Sequence, residues 1–337
     1  MLIWHRNRLT GFTSLILAFV AAFVMPAFVC PAPAQADEDV VQIVHLPASE
    51  LPESIAIDQQ GNKYLSIYTK AEIMKITPGG DRSVFATFPA GSSPLGIRLD
   101  AAGNFYVALV GSTAADTGVW RIPAGGGTPA EFAPIPGSFP NGLAFGRRGI
   151  LFVSESVGGV IYRVSRGGSV SVWSNSSLLA GTAGDGPCGQ PHPSGFPLGP
   201  NGLAFNRHGD LLVANTTLGT IVRIPVEKDG GAGPASVFAG PDCRLWGADG
   251  VAMDTRDNLY VAANAERDIV RVSPAGRLHV LASSAAGDPL YTPSDIAFGT
   301  GRGTRDHIFI TNFALFTSGV GAGVATTDVG IPGRPLP

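Results

Sequence analysis

The stretch Phe139-Pro-Asn-Gly-Leu-Ala-Phe-Gly146 returns almost unchanged as Gly199-Pro-Asn-Gly-Leu-Ala-Phe-Asn206. Four weaker copies of the same pattern begin at other points of the chain, at Leu51, Ser93, Gly247 and Thr292. The second residues of the six segments are spaced 42, 46, 60, 48 and 45 residues apart. A recurring period of this length predicts that one structural unit is repeated six times.

Each unit contains short apolar runs that are separated by turn residues. In the fourth unit the turn Asn206-Arg-His-Gly209 is followed by the runs Leu211-Leu-Val-Ala214 and Ile221-Val-Arg-Ile224. Four short strands in a unit of roughly 45 residues, repeated six times, predict an all-β fold, the six-bladed β-propeller. The sixth unit has no clear fourth strand. We therefore predict that the N-terminal run Val40 to Leu46 completes the last blade as its outer strand.

The composition agrees with a large domain rich in turns. The chain has 337 residues, of which 45% are hydrophobic and 15% are charged, with 45 glycines and 27 prolines. Such a chain can bury a core but disfavours long helices. The formal net charge is only -3, which argues against a strongly basic nucleic-acid binder. We expect a single propeller domain and no nucleic-acid partner.

The first 36 residues have the features of a secretory signal peptide. Basic residues precede the apolar run Phe12 to Val24, and the small residues of Ala34-Gln-Ala36 offer a cleavage site. We predict a signal peptide over residues 1–36 and a propeller domain over residues 37–337, secreted or periplasmic and free of the membrane after cleavage. The alternative is an uncleaved anchor, since residues 12–30 are just long enough to span a bilayer.

The repeats also predict a ring of equivalent side chains. The inner strands of a propeller start on one face around the central channel, so one residue of each unit occupies the same place. In the aligned segments these residues are Glu53, Leu95, Asn141, Asn201, Asp249 and Ser294. Two carboxylates and two amide carbonyls among them suit a hard divalent cation such as Ca²⁺, although another divalent ion is compatible with the same donors. The alternative is that these residues only form turns and strand ends.

Further candidates lie close to the same face. Glu155, Asn215 and Asn312 end the second strands of their units, within reach of the predicted ligands, or else cap those strands. His192 lies in the insertion of residues 181–198 that lengthens one repeat to 60 residues. It is a candidate proton shuttle or substrate contact, and the alternative is an exposed loop residue between two prolines.

Two cysteines, Cys188 and Cys243, remain beyond the signal peptide. In an exported chain two cysteines suggest one disulfide. Both precede inner strands of adjacent blades, so they can meet at the channel entrance. A bridge there would hold the insertion beside the predicted metal site.

The ring segments carry a resemblance to a known family. Pro52-Glu-Ser54, the two Pro-Asn-Gly segments and Asp249-Gly250 stand at matching places. With them the sequence resembles the senescence marker protein and gluconolactonase family of calcium-dependent six-bladed propeller hydrolases. Diisopropylfluorophosphatase and the paraoxonases are more distant relatives, and the Pro-Glu-Ser segment is closer to strictosidine synthase-like propellers. The resemblance implies that Glu53, Asn141, Asn201 and Asp249 hold a catalytic calcium ion. It also implies that Asp249 is the general base or nucleophile.

We therefore expect a hydrolase of small-molecule lactones or esters. A channel-bound Ca²⁺ would polarise the substrate carbonyl, and Glu53 and Asp249 would be the catalytic carboxylates. Two alternatives stay open, because a fold does not establish a reaction. One is a non-catalytic propeller that binds a ligand or a protein, and the other is an enzyme of the strictosidine synthase or streptogramin lyase type. The sequence predicts no oligomeric state.

Overall fold

The computed structural model describes residues 39–335. Over this part of the chain the protein is all-β, with 24 strands in six antiparallel sheets of four strands each. This arrangement confirms the predicted six-bladed propeller. The predicted signal peptide, residues 1–36, lies outside the described residues.

The strands follow the predicted repeat, one blade after another. The N-terminal strand is β1 (Val41–His45). The first blade contains β2 (Pro52–Ile57), β3 (Lys63–Ile67), β4 (Glu72–Ile76) and β5 (Arg82–Thr87). The second contains β6 (Ser93–Leu99), β7 (Phe105–Val110), β8 (Gly118–Ile122) and β9 (Ala130–Pro134). The third contains β10 (Pro140–Phe145), β11 (Leu151–Glu155), β12 (Val160–Val164) and β13 (Val170–Ser174).

The last three blades repeat the order. The fourth contains β14 (Pro200–Phe205), β15 (Leu211–Asn215), β16 (Thr220–Ile224) and β17 (Ser236–Ala239). The fifth contains β18 (Ala248–Met253), β19 (Leu259–Ala263), β20 (Asp268–Val272) and β21 (Leu278–Ser283). The sixth contains β22 (Pro293–Phe298), β23 (His307–Asn312) and β24 (Gly323–Asp328). Six single-turn 3₁₀ helices lie between described strands, at Ala114–Asp116, Arg147–Gly149, Ser177–Leu179, Cys243–Leu245, Ser284–Ala286 and Leu315–Thr317.

The ring closes through the N-terminal strand, as predicted. Strand β1 pairs antiparallel with β24, with Val41 opposite Thr326 and His45 opposite Gly323. It is the outermost strand of the sixth blade, in the order β1-β24-β23-β22. The closure pairs the edge of β24 that the sixth unit alone would leave open.

A repeated turn joins the first two strands of most blades. In the first blade, Asp58 Oδ1 accepts hydrogen bonds from the backbone N–H groups of Gln60 and Asn62, both at 2.9 Å. Gly61 has φ of +81° in this turn, a conformation that glycine adopts without steric cost. Such side-chain turns explain why Asp or Asn recurs directly after the inner strands.

The core lies between neighbouring blades. Each hydrophobic cluster joins side chains of adjacent sheets, such as Leu212 of the fourth blade with Val251 and Leu259 of the fifth. Because the side chains of a strand alternate between faces, one strand contributes to the core on both sides of its blade. The packing fixes the inner strands around the axis. No helix within residues 39–335 combines the length and apolarity needed to cross a bilayer.

Candidate metal and catalytic site

The predicted ring residues occupy β-bulges at the start of the inner strands. The register of every inner strand against its neighbour shifts at this place, for example between Pro52 and Ile55 in the first blade and between Ala248 and Val251 in the fifth. A bulge turns a side chain away from the regular alternation of the strand. The ring residue of each blade therefore lies within this irregularity.

The structure brings the four predicted ligands into one place. Glu53, Asn141, Asn201 and Asp249 all line a single narrow cavity on the axis, together with Ser294. All four are buried, with 4–6% of their surface exposed. Leu95, the ring residue of the second blade, is also buried but is not part of the cavity lining. The predicted oxygen donors of four blades therefore meet, and their role as ligands stays a prediction.

Glycines next to the ring allow the inner strands to approach closely. A Cβ atom on Gly142 would lie 2.2 Å from the backbone oxygen of Asn201, and one on Gly202 would lie 2.3 Å from that of Asp249. Real side chains do not tolerate such distances. Each Pro-Asn-Gly segment thus places a polar asparagine in the ring. The glycine after it leaves room for the inner strand of the next blade.

Glu53 is a buried carboxylate without a matching donor. No residue in the described part of the chain donates a hydrogen bond to Glu53 Oε2. Burial raises the pKa of Glu53 well above its usual value, and the negative charges of Asp249 and Asp295 raise it further. The nearby Arg98 guanidinium opposes this shift in pKa. A buried carboxylate of this kind is stabilised by a cation in the cavity.

The Asp249 carboxylate, in contrast to Glu53 Oε2, accepts a side-chain hydrogen bond. Its Oδ2 accepts a hydrogen bond of 2.8 Å from Asn264 Nδ2. Burial raises the pKa of Asp249 to about 8, while the amides of Asn264 and Asn201 oppose the shift and the charge of Asp295 adds to it. A carboxyl group that titrates near neutral pH is suited to exchange a proton during catalysis.

Sequence reasoning missed two charged residues of the cavity, Arg98 and Asp295. They form an ion pair with Arg98 Nη1 3.3 Å from Asp295 Oδ2. Asp295 also accepts hydrogen bonds from the Ser54 hydroxyl and the Ile55 backbone N–H. Ser54 Oγ accepts in turn from the Ile97 backbone N–H at 3.1 Å, so this network joins the sixth, first and second blades.

The repeat itself contained the signal for this pair. Asp295 stands where four of the other units have a glycine, as at Gly142. Arg98 stands where the other five units have an alanine, as at Ala144. A charged residue at a position that is otherwise small points to a specific partner, and here the two exceptions pair with each other.

Three further candidates, Glu155, Asn215 and Asn312, bond to backbone groups of neighbouring loops. Glu155 accepts hydrogen bonds from backbone N–H groups, including Phe139 at 2.9 Å. Asn215 Nδ2 donates to the backbone oxygen of Ala180 at 3.0 Å, and Asn312 Nδ2 donates to that of Pro289 at 2.8 Å. None of the three lines the cavity. Their contacts are those of strand-end caps, which was the alternative interpretation.

His192 is buried, so the alternative of an exposed loop residue is wrong. Only 5% of its surface is exposed, and its ring packs edge-on against Trp246 and Phe316 with centroids 6.0 and 5.9 Å away. His192 Nε2 lies 3.1 Å from Asn264 Oδ1. Asn264, which sequence reasoning missed, therefore touches both His192 and Asp249. It follows its ring residue by 15 positions, as Thr216 follows Asn201, and both pairs are hydrogen-bonded.

The predicted disulfide is present. Cys188 and Cys243 are bonded, with their Cα atoms 5.0 Å apart. Glu266 Oε1 lies 3.1 Å from the Cys188 sulfur. The bridge ties the insertion of residues 181–198 to the loop that leads into β18, as the positions of the cysteines suggested.

The chemistry of the cavity fits a divalent cation. Three carboxylates, those of Glu53, Asp249 and Asp295, face one guanidinium, that of Arg98. When all are ionised, two negative charges are left without a counter-ion. Two amide side chains, Asn141 and Asn201, add neutral oxygen donors. Hard cations such as Ca²⁺ prefer such a set of oxygens.

Comparison with known proteins supports the same fold. Residues 197–313 match the family model described as the SMP-30/Gluconolactonase/LRE-like region. A search of curated protein sequences gave no match.

Solved structures resemble the chain over most of its length. Regucalcin from Agrobacterium tumefaciens, described as a calcium-binding protein, has a TM-score of 0.63 at 17% identity and covers 89% of this chain and 97% of its own. A gluconolactonase from Xanthomonas campestris has a TM-score of 0.60 at 17% identity, covering 88% and 89%. Virginiamycin B lyase from Staphylococcus aureus has a TM-score of 0.55 at 16% identity, covering 81% of each chain. At these identities the likeness shows the fold alone. The match over residues 197–313, on a propeller of this fold, confirms the predicted resemblance to the senescence marker protein and gluconolactonase family.

Proposed function

We propose that the protein is a calcium-dependent hydrolase of small-molecule lactones or esters. The observation that carries the proposal is the buried Glu53 carboxylate, whose Oε2 accepts no hydrogen bond from any residue that the structure describes. This carboxylate shares the axial cavity with Asp249, Asn141 and Asn201. The match to a gluconolactonase-containing family over residues 197–313 supports a lactonase-type reaction. Glu53, Asn141, Asn201 and Asp249 would hold the ion.

A bound divalent cation would polarise the substrate carbonyl and stabilise the negative charge that develops on its oxygen. The residues of the chain supply the proton transfer. Ionised Asp249 accepts a proton from the attacking water, whose oxygen bonds to the carbonyl carbon. When the bond to the leaving oxygen breaks, Asp249 returns the proton to that oxygen. A lactone yields a hydroxy acid, and an ester yields an acid and an alcohol.

The buried position of Asp249 suits this role. In the cavity without a cation, burial raises the pKa of Asp249 to about 8, and a bound cation would lower this pKa and favour the ionised form that accepts a proton. Its hydrogen bond with Asn264 holds one oxygen in place during the transfer. Glu53 contributes negative charge that attracts the cation.

We also propose that the protein is exported to the periplasm or outside the cell. The Cys188–Cys243 disulfide supports this location, because such bonds persist in oxidising compartments.

The test is hydrolysis of a panel of lactones and aryl esters by purified protein. We expect activity that a chelator abolishes and Ca²⁺ restores, and that Asp249→Asn lowers by at least about a hundredfold. Asp242→Asn is the matched control, since Asp242 lies in a more exposed loop and pairs with Arg244. Activity that survives complete metal removal would contradict the proposal and favour a lyase-type enzyme. Ligand binding without turnover in either state would indicate a binding propeller.

A further inference from the structure

The insertion of residues 181–198 is coupled to the axial cavity through one continuous chain of hydrogen bonds. It begins at Ser194, passes through His192 and Asn264, and ends at Asp249. Each of the last three side chains is at most 7% exposed. A buried chain of this kind holds its members in fixed orientations.

The first step fixes the tautomer of His192. The backbone N–H of Ser194 lies 3.3 Å from His192 Nδ1 and can only donate. Nδ1 is therefore the acceptor and Nε2 carries the proton. Burial lowers the pKa of His192, which favours this neutral ring. The Ser194 hydroxyl, 2.8 Å from the same nitrogen, is free to donate to it as well.

The second step fixes the amide of Asn264. The Nε2–H group of His192 donates to Asn264 Oδ1 at 3.1 Å. The Asn264 backbone N–H is held by the Gly247 oxygen at 2.8 Å. A Cβ atom on Gly247 would lie 2.4 Å from Asn264 Oδ1, so the amide oxygen packs against the space that glycine leaves. The amide nitrogen must then face the other way.

The third step reaches the carboxylate. Asn264 Nδ2 donates to Asp249 Oδ2 at 2.8 Å. Asp249 Oδ2 is thereby held in place by the Asn264 amide, and the Asn201 amide also bonds to this carboxyl group. If the amide of Asn264 turned over, its oxygen would face the carboxylate and repel it.

We propose that His192 is a positioning residue, which acts through Asn264 to fix the orientation of the Asp249 carboxylate in the cavity. The inference rests on the proposed function and assigns the long insertion a task in it. The Cys188–Cys243 disulfide fixes the insertion four residues from His192. The network joins that outer segment to the axis.

The test is a double-mutant cycle with kcat, KM and the Ca²⁺ dissociation constant as readouts. His192→Phe keeps the ring but removes the donor, and we expect about a tenfold loss in kcat or Ca²⁺ affinity with little change in KM. His192→Gln restores a donor at the place of Nε2 and should recover most of the loss. Asn264→Ala should cost about tenfold to a hundredfold. In the Asn264→Ala background, His192→Phe should have no further effect.

Additive effects of the two substitutions, or a glutamine variant as poor as the phenylalanine variant, would overturn the proposal. His208→Phe, the same change at an exposed turn, is the control and should leave all three readouts unchanged. If the wild-type protein hydrolyses no lactone or ester, the proposed function fails, and Ca²⁺ titration calorimetry still tests the coupling.

A fourth readout needs neither turnover nor metal. In ¹⁵N spectra of the metal-free protein, His192 should be a neutral Nε2–H imidazole whose Nε2 signal shifts in Asn264→Ala. A proton on Nδ1, or a signal that is indifferent to Asn264, would refute the inference.

Discussion

Asp249→Asn should make the metal-free protein more stable at neutral pH, even though it removes a predicted ligand. Burial raises the pKa of Asp249 to about 8, against 3.8 for the ordinary group. Between these two values the folded protein keeps a proton that the unfolded chain has released. Unfolding then releases a proton, so the free energy of unfolding falls as the pH rises through this range.

The magnitude follows from the proton count. A difference of one proton changes the free energy of unfolding by about 1.4 kcal/mol per pH unit, or about 3 kcal/mol between pH 5 and pH 7. The carboxamide of Asp249→Asn cannot ionise, so this contribution disappears. Its oxygen can still accept the hydrogen bond from Asn264. Glu53 adds a pH dependence of the same sign in both proteins.

The assay is urea unfolding with a chelator at pH 5, 6 and 7. The stability of wild type relative to Asp249→Asn should fall as the pH rises. The free energy of unfolding of Asp242→Asn should depend on pH in the same way as that of wild type. The reason is that the hydrogen bond from Arg244 lowers the pKa of Asp242 and places its titration below this range. Saturating Ca²⁺ should stabilise wild type by about 3 kcal/mol at a hundred times its dissociation constant. The reasoning would be refuted if the free energies of unfolding of wild type and Asp249→Asn changed by the same amount across the three pH values.

Three further sets of substitutions test the scaffold in urea unfolding. Replacing Cys188 and Cys243 by alanine, which removes a bridge between residues 55 apart, should lower the free energy of unfolding by about 4 kcal/mol; an equal loss on reducing the wild type is the check. Gly142→Ala should destabilise by more than about 2 kcal/mol, because its Cβ would collide with the next inner strand; a neutral effect would mean that the blades can move apart. Arg98→Met should cost about 3 kcal/mol by leaving Asp295 without its counter-ion, and adding Asp295→Asn should recover part of that loss.

The architecture could be predicted from the sequence because the repeat is regular. The spacing of the six aligned segments predicted the number of blades, and the unpaired run before the first unit predicted the closing strand β1. The equivalence of Glu53, Asn141, Asn201 and Asp249 also followed from the repeat, since symmetry carries equal positions to one axis.

Contacts that break the symmetry could not be predicted in the same way. His192 belongs to an insertion with no counterpart in the other units, so nothing in the repeat indicated whether it is buried. Arg98 and Asp295 are remote in sequence, and their pairing depends on how the sixth and second blades meet at the axis. Asn264 was accessible in principle, because its spacing from Asp249 repeats that of Thr216 from Asn201, but only the geometry shows that both pairs bond.

The pairing of β1 with β24 makes the closed ring depend on two strands that lie 278 residues apart, from His45 to Gly323. Strand β1, the first strand of the described residues, has no partner until the sixth blade exists, so a chain that is cut before that blade cannot close the ring. Such a fragment would expose the unpaired edge of a strand, which favours aggregation. It would also lack the closed ring that fixes the relative positions of the oxygens from the first and fifth blades. Assembly of the axial cavity is thus coupled to the pairing of β1 with β24.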